Sequence, residues 1–332
     1  MKLKIVLILS LCMIGFIGWW NYSLNFGVFS SSHSLKSLPV IRTEAGGTVW
    51  NERFYIVGGI GPWAQTLTSF MEFDPAINDW RALPDLPEKI SHTGVVARNG
   101  KIYVVGGFGT LGFRPHGFML ARWRPRDTLY VFDILQNQWT QGPAMPEPRG
   151  AGGIALAQDA IWYVGGIGPN LLDSADLFRF DLVTHRWQKM TAMPTPRDHL
   201  RMEAVGSKLY AISGRKDDFM RDLNITECYD ILSGKWTRLA DIPNGRGGIG
   251  SAVKEGMIYV FGGEYLWNCS DEVDRYDPIH DRWDVLAPLP VARHGIIAGL
   301  MKDGIHLVSG GTHPRISASG IHDVYLNHCT VL

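Results

Sequence analysis

Apolar and polar residues alternate in short runs that recur along most of the chain. Residues 101–105 form one such run and end at the doublet Gly106-Gly107, and residues 128–132 form another that ends at Asp133. Runs of about five β-branched and aromatic residues bounded by Gly, Asp or Pro are typical of β-strands. The pattern therefore predicts a chain built from many short strands.

Doublets of small residues close these runs at six places and show that the chain is internally repeated. They are Gly58-Gly59, Gly106-Gly107, Gly165-Gly166, Ser213-Gly214, Gly262-Gly263 and Ser309-Gly310, spaced 47 to 59 residues apart. Tryptophans follow at the same steps, each with an Asp six residues before it and a Pro seven residues after it. They are Trp80, Trp139, Trp187, Trp236 and Trp283. Each repeat has room for four strands, so we predict one four-stranded antiparallel meander per repeat.

This order of Gly doublet, aromatic strand and Trp resembles the repeats of the kelch proteins over roughly residues 32–332. The resemblance implies an all-β fold, a β-propeller with one four-stranded kelch repeat per blade. Physical reasoning agrees, because a four-stranded unit cannot bury both sheet faces alone and must stack on its neighbours around an axis. We expect residues 30–332 to form this single domain.

Six doublets but five tryptophans predict a six-bladed ring whose last blade is shared between the two ends of the chain. After Ser309-Gly310 there is room for one further strand. Residues 35–42 match residues 286–293, and Ser32 stands where a Trp would be expected. We therefore predict that the N-terminal segment supplies the fourth strand of the last blade and removes the open sheet edge.

The N-terminus carries an uncharged apolar stretch, residues 5–20, after Lys2 and Lys4. A helix of this length covers about 24 Å, a little less than a ~30 Å hydrocarbon core. Lysines before an apolar core are typical of exported proteins. We expect residues 1–29 to be a signal peptide or an N-terminal membrane anchor. The propeller would then lie outside the cytoplasm, in the periplasm, at the cell surface or attached to the membrane.

Charge is balanced overall but unevenly placed. Lys and Arg number 32 and so do Asp and Glu, which argues against a general nucleic-acid binder. Five repeats carry an arginine at the entry to their first strand, and Ile90 takes this place in the other. These arginines are Arg42, Arg149, Arg197, Arg246 and Arg293. Because the first strand lies innermost in a propeller, we predict that they converge around one mouth of the central channel.

Further polar residues lie beside these arginines or begin the loops between second and third strands, which share the same face. They are Glu44, His92, Asp198, His199, Arg215, Glu264 and His294. Loops that vary on a repeating scaffold usually carry specificity, and Arg suits bidentate recognition of carboxylates. The sequence thus predicts a mouth that binds an acidic sugar or an acidic peptide. A purely architectural reading is also open, in which each guanidinium bonds to backbone carbonyls and holds the blades together.

The resemblance to kelch proteins implies a ligand-binding or protein-interaction domain, which we expect to be a monomer without catalytic activity. An alternative is a sugar-acid mutarotase or epimerase, because the chain is similar in length, blade count and export signal to the bacterial kelch N-acetylneuraminate epimerases. Glu44, His199, Arg215 and Glu264 are then the candidate acid–base groups.

Cofactor chemistry is not expected. An oxidase similar to galactose oxidase would need seven blades and a copper site. The histidines of this chain fall in different repeats, and no pair has ligand spacing. The sequence therefore predicts no metal site and no cofactor.

Overall fold

The protein is all-β. The computed structural model describes residues 28–29, 35–110, 112–113, 121–122, 124–216, 221–265, 267–314 and 317–326. The secondary-structure elements within these ranges are all β-strands. Within these ranges no helix is long and apolar enough to cross a membrane. The predicted export segment at residues 5–20 and Ser32 lie outside the described residues.

Six antiparallel sheets of four strands form the six blades of a β-propeller, numbered here in chain order. The first strands are β2 (Gly46–Trp50), β6 (Gly94–Arg98), β12 (Gly153–Ala157), β16 (Arg201–Val205), β22 (Gly250–Lys254) and β26 (Ile297–Met301). The second strands are β3 (Arg53–Val57), β7 (Lys101–Val105), β13 (Ala160–Val164), β17 (Lys208–Ile212), β23 (Met257–Phe261) and β27 (Gly304–Val308).

The outer half of each blade follows the same order. The third strands are β4 (Phe70–Asp74), β10 (Leu129–Asp133), β14 (Leu177–Asp181), β20 (Thr226–Asp230), β24 (Val273–Asp277) and β28 (His322–Leu326). The fourth strands are β5 (Asp79–Leu83), β11 (Gln138–Gln141), β15 (Arg186–Met190), β21 (Lys235–Arg238), β25 (Arg282–Val285) and β1 (Val28–Phe29). Blades 2 and 4 each add a short hairpin after the second strand, β8 (Gly112–Phe113) with β9 (Ala121–Arg122) and β18 (Arg215–Lys216) with β19 (Arg221–Asp222).

The ring is closed around the channel. The first strands of neighbouring blades contact one another all the way round, including β26 of blade 6 with β2 of blade 1. In blade 6 the fourth strand is β1, which pairs antiparallel with β28 so that Val28 faces Leu326 and Phe29 faces Tyr325. An N-terminal strand and a C-terminal strand therefore meet in one sheet, which gives blade 6 its fourth strand.

The tryptophans of the repeat join neighbouring blades. Trp187 lies on the fourth strand of blade 3, and its indole N–H donates to the carbonyl oxygen of Pro143 in blade 2 at 2.9 Å. The other four tryptophans make the same bond to the preceding blade at 2.8–3.0 Å. Each indole thus covers the seam between two sheets while its polar N–H is satisfied.

The Asp before each Trp shapes the turn between the third and fourth strands. Asp230 accepts hydrogen bonds from the backbone N–H groups of Leu232 and Ser233 at 2.9 and 2.8 Å. Asp181 makes the equivalent pair of bonds in blade 3. In these blades the Asp is therefore a turn residue that bonds its own backbone.

The Gly doublets lie where the second strand of one blade approaches the entry segment of the next. At the first position, φ is +55° at Gly262 and a Cβ there would be only 2.4 Å from the carbonyl oxygen of Arg293. Serine takes this position in blade 4, where Ser213 has φ of +54° and its Oγ donates to the carbonyl oxygen of Arg246 at 2.8 Å. The second position has φ of +116° at Gly263, outside the range that other residues adopt readily. The doublets are therefore contacts between blades.

A buried histidine pair lies at the seam between blades 6 and 1. His306 Nδ1 lies 2.8 Å from His322 Nε2, and the other nitrogen of His306 lies 2.8 Å from Asp303. The His322 ring packs edge-on against Phe73, with centroids 4.5 Å apart. Burial, and then the nearby His306, lower the pKa of His322 to about 3.

We expect acid to destabilise the protein through His322. Its folded-state pKa lies below the unfolded value of about 6.5, so the unfolded chain takes up the proton first as the pH falls. Stability contributed by the neutral ring is present above pH 6.5 and decreases by about 1.4 kcal/mol per pH unit below it, or ~3 kcal/mol by pH 4.5. Urea denaturation at pH 7.0, 5.5 and 4.5 should show this decrease, and His322→Phe should make it shallower. The exposed His185→Gln is the matched control, and an equal pH dependence in all three proteins would contradict the assignment.

Candidate functional site

The five arginines predicted to ring the mouth are buried in the blades instead. Arg246 donates to the carbonyl oxygens of Gly262 and Asn244 at 2.6 and 2.8 Å and to Asp274 at 2.6 Å. Arg42 bonds to the carbonyl oxygens of Val40, Gly58 and Ser69, and burial lowers its pKa to about 10. The remaining three pair with acidic residues in or just before the third strand of their own blade: Arg149 with Asp176, Arg197 with Glu227, and Arg293 with Asp323.

The prediction that these guanidinium groups converge on the channel to bind an anion is therefore wrong. Arg42, Arg197, Arg246 and Arg293 each donate to the carbonyl oxygen of the first doublet residue of their own blade, whereas Arg149 bonds to the carbonyl oxygen of Pro148. In four blades a carboxylate also pairs with the arginine. Buried charges in proteins require such partners. The architectural reading of the arginines fits these contacts.

The mouth itself is formed by the residue two positions after each of these sites. In all six blades this residue has φ between 49° and 64°. The six are Glu44, His92, Ala151, His199, Gly248 and Gly295, and we call them the channel belt. Five of them donate their backbone N–H to the carbonyl oxygen of the equivalent residue in the preceding blade at 2.7–3.2 Å. The belt thus fixes these Cα atoms around the axis without using their side chains.

A second tier of residues lies beside the belt. In each blade the residue before the belt position pairs with the first residue of the loop that follows the doublet, as in Asp198 with Arg215 and Gly247 with Glu264. Arg215 Nη2 lies 2.6 Å from Glu264 Oε1, and His294 Nε2 lies 3.7 Å from Glu264 Oε2. The loop residues predicted to share the channel face are therefore placed there.

One carboxylate joins the two tiers. Glu44 Oε1 lies 3.1 Å from His294 Nδ1, while Glu44 Oε2 lies 3.7 Å from His92 Nε2. The His92 ring faces the His199 ring edge-on, with centroids 5.1 Å apart. His199 is in turn hydrogen-bonded through Nδ1 to Asp198. Seven of the twelve predicted site residues, the set that excludes the five arginines, thus come together here.

Burial and charge assign different protonation states to these groups. Burial alone would raise the pKa of Glu44, but the histidines around it hold that pKa well below its usual range. Burial likewise opposes protonation of His294, but its hydrogen bond to Glu44 and the charge of Glu264 outweigh this and raise its pKa. Burial lowers the pKa of His92 to about 3 and, with the positive charge of Arg215, that of His199 to about 4. At neutral pH the mouth therefore holds an ionised carboxylate beside two neutral imidazoles.

Sequence reasoning missed Arg201, the first residue of β16. Its guanidinium donates to the carbonyl oxygen of Ile249 in blade 5 at 2.6 Å and to that of Ile296 in blade 6 at 3.0 Å. It lines a cavity of about 30 Å³ together with Glu44, His92 and His199. The sequence signal that could have identified Arg201 is its charge at the first position of an innermost strand. Arg201 crosses the channel and narrows it just inside the belt.

Three large apolar side chains project from the loops on the same face. Trp63 is 87% exposed in blade 1, Leu172 is 65% exposed in blade 3, and Trp267 is 70% exposed in blade 5. All three follow a Gly doublet by four to six residues. The loop positions of blades 2 and 4 carry the exposed cations Arg124 and Arg221. Apolar and cationic loops therefore alternate around the mouth.

Comparison with known protein families matches residues 20–193 and 125–311 to the KLHDC2/KLHL20/DRC7 Kelch-repeats domain. The chain belongs to this family of kelch-repeat proteins. A kelch propeller indicates a domain for protein interaction or ligand binding, which is the function class that the resemblance implied.

Individual relatives agree with the kelch assignment. Kelch-like protein terF of Aspergillus terreus is 25% identical over 84% of this chain and 63% of its own length. Beta-scruin of Limulus polyphemus is 30% identical over 39% of this chain and 14% of its own length. The chain thus spans less than two thirds of the length of these curated relatives. Among solved structures, that of YjhT superposes with a TM-score of 0.76 at 16% identity, covering 90% of this chain and 98% of the other, and shows the fold alone.

Proposed function

We propose that this kelch propeller is a binding domain for a protein partner and that it binds through the face around the channel mouth. The observation that carries the proposal is the set of exposed apolar residues Trp63, Leu172 and Trp267 on three loops of that face. Large exposed apolar side chains rimmed by polar residues mark interaction sites, and Trp is enriched among residues that dominate binding energy.

The partner segment is expected to be acidic as well as apolar. Arg124 and Arg221 lie on the loops of blades 2 and 4, between the apolar loops. Exposed cations around an apolar centre favour an oppositely charged partner and speed its association. The expectation of an acidic peptide partner now depends on Arg124 and Arg221, because the five buried arginines no longer support it.

An acidic sugar and an epimerase reaction are less well supported. The cavity bounded by Glu44, His92 and His199 has a volume of about 30 Å³. Sites for small molecules usually enclose about 300–1,000 Å³. A sugar acid would need a much larger cavity than this one. We further propose, from the apolar stretch at residues 5–20, that the domain lies outside the cytoplasm, where we expect it to act as a monomer.

Selection of displayed random peptides on the immobilised protein tests the binding face. Peptides rich in Asp or Glu and in aromatic or aliphatic residues should be enriched. Trp63→Ser combined with Trp267→Ser should weaken the selected peptides at least 10-fold, since each buried Trp anchor contributes about 2 kcal/mol or more. Fluorescence anisotropy of labelled peptides measures the affinities.

The matched control changes apolar residues on the opposite face. Leu135 and Ile279 lie in turns between third and fourth strands and are 94% and 83% exposed. Leu135→Ser with Ile279→Ser should leave peptide affinity unchanged. Equal losses of peptide affinity in both double variants would contradict the proposed binding face. A melting temperature raised by sialic or uronic acids, with no peptide selected, would contradict the proposed function and favour the sugar-acid alternative.

A further inference from the structure

We propose that Glu44, His92 and His199 form a zinc site on the channel axis. The three belong to blades 1, 2 and 4 and to the channel belt. One possible ligand atom from each lies within 4.8 Å of the others. A zinc ion with bonds of about 2.0–2.2 Å holds tetrahedral ligand atoms about 3.4 Å apart, so side-chain shifts of about 1 Å complete the site.

The distance between Glu44 and His92 fits two ligands of one ion better than a direct bond. Glu44 Oε2 and His92 Nε2 are 3.7 Å apart, longer than a hydrogen bond. The other carboxylate oxygen, Oε1, is 3.1 Å from His294 Nδ1. Glu44 can therefore give one oxygen to a metal and keep the other on His294, which orients the carboxylate.

Both imidazoles are oriented in the way that metal ligands are. His199 Nδ1 is bonded to the carboxylate of Asp198, and His92 Nδ1 lies 3.1 Å from Ser91 Oγ. Metal-binding histidines commonly donate one ring N–H to a carboxylate or another oxygen, which leaves the opposite nitrogen as the ligand. In both residues that ligand is Nε2. The orienting partner in each case is the residue immediately before the histidine.

The donor set selects the kind of metal. Two imidazole nitrogens and one carboxylate oxygen suit zinc and other divalent first-row transition metals, whereas Ca²⁺ and Mg²⁺ prefer all-oxygen sites. The cavity of about 30 Å³ has room for one ion with a water molecule and for little else. Charges facing it include Arg201, Arg215 and His294 as well as Asp198 and Glu264, so the surroundings are close to balanced. Zinc here would tie three blades together across the axis and keep a fourth coordination position open.

Metal titration of the full-length protein, purified and stripped with a chelator, tests the site. Calorimetry with ZnCl₂ should give one ion per chain. Co²⁺ in place of zinc should give the visible absorption of a tetrahedral nitrogen and oxygen site. His92→Asn, His199→Asn and Glu44→Gln should each weaken zinc at least 100-fold, and Asp198→Asn, which changes only the orienting partner, about 10- to 100-fold. Asn is chosen for the histidines because it tolerates the left-handed backbone at these positions.

Two outcomes would overturn the proposal. One is the absence of stoichiometric zinc binding in the stripped wild-type protein. The other is binding retained in His92→Asn and His199→Asn but lost in His280→Gln, which removes an exposed histidine beside Asp277 and would indicate a surface site. If a ligand variant fails to fold, Asp198→Asn and Glu44→Asp decide the question, because a metal site predicts graded weakening in both. The zinc site does not depend on the proposed protein partner.

Discussion

Replacing Arg246 with Met is expected to lower the free energy of unfolding by about 3–5 kcal/mol. The guanidinium is fully buried and bonds to two backbone carbonyl oxygens, to Asp274 at 2.6 Å and to Glu272 at 3.1 Å. Its removal leaves Asp274 as a buried carboxylate without a countercharge, and removal of one partner of such a pair is far more costly than its net contribution suggests. Differential scanning calorimetry should show a melting temperature lower by roughly 6–10 °C.

The matched control is an arginine in an exposed ion pair. Arg238 is 49% exposed and lies 2.6 Å from Asp241. Arg238→Met should change the free energy of unfolding by less than about 1 kcal/mol, because water and salt screen the pair. Adding Asp274→Leu to Arg246→Met should recover part of the lost stability, since it removes the orphaned charge. A wild-type melting temperature combined with loss of peptide binding in Arg246→Met would instead assign the arginine to the binding mouth.

The wrong prediction about the arginines shows that a repeat pattern gives the position of a residue in the blade but not the direction of its side chain. The spacing placed Arg149, Arg197, Arg246 and Arg293 correctly at the entry to innermost strands. It did not determine whether each side chain turns toward the channel or under its own blade. The deciding information lies elsewhere in the repeat, because an acidic residue occurs 27 to 30 residues after each of these four arginines. Asp176, Glu227, Asp274 and Asp323 are these residues.

The fold was predictable because its determinants repeat. Trp, Asp and the Gly doublet recur at fixed offsets, and each makes the same contact in successive blades. Each repeat therefore indicates the same blade structure separately, so one irregular repeat does not change the predicted fold. The 59-residue step between the first Trp pair did not obscure the blade count, since the extra residues lie in one loop.

The cluster on the channel axis was only partly predictable. Each member was identified as a neighbour of the mouth, because position in the repeat gives position along the axis. Glu44, His92 and His199 stand 48 and 107 residues apart in the chain, so no local spacing marks them as a ligand set. Ala151, Gly248 and Gly295 take the equivalent positions in the other blades, and this difference from the repeat was the signal to follow. Function in a propeller is found where copies of the repeat differ.

Substituting Gly263 with Ala is expected to lower the free energy of unfolding by about 3 kcal/mol or more. The backbone there has φ of +116°, which costs an alanine about 1–3 kcal/mol in strain. A Cβ would also lie 2.8 Å from Ile249 Cγ2 and 2.9 Å from the carbonyl oxygen of Gly247. Relief of such contacts costs a further 1–3 kcal/mol or so in a packed interior. Equilibrium denaturation in urea measures the change.

Gly256→Ala separates the backbone effect from the packing effect. Gly256 has φ of +76° in the hairpin between β22 and β23, and nothing lies within 4 Å of a Cβ placed there. Its substitution should cost only the left-handed penalty of about 1–2 kcal/mol. The repeat itself contains a parallel comparison, because Ser213 and Ser309 replace the first glycine of a doublet while the second position is glycine in all six blades. If Gly263→Ala proved no more destabilising than Gly256→Ala, close contact with the entry segment could not be the reason for that pattern.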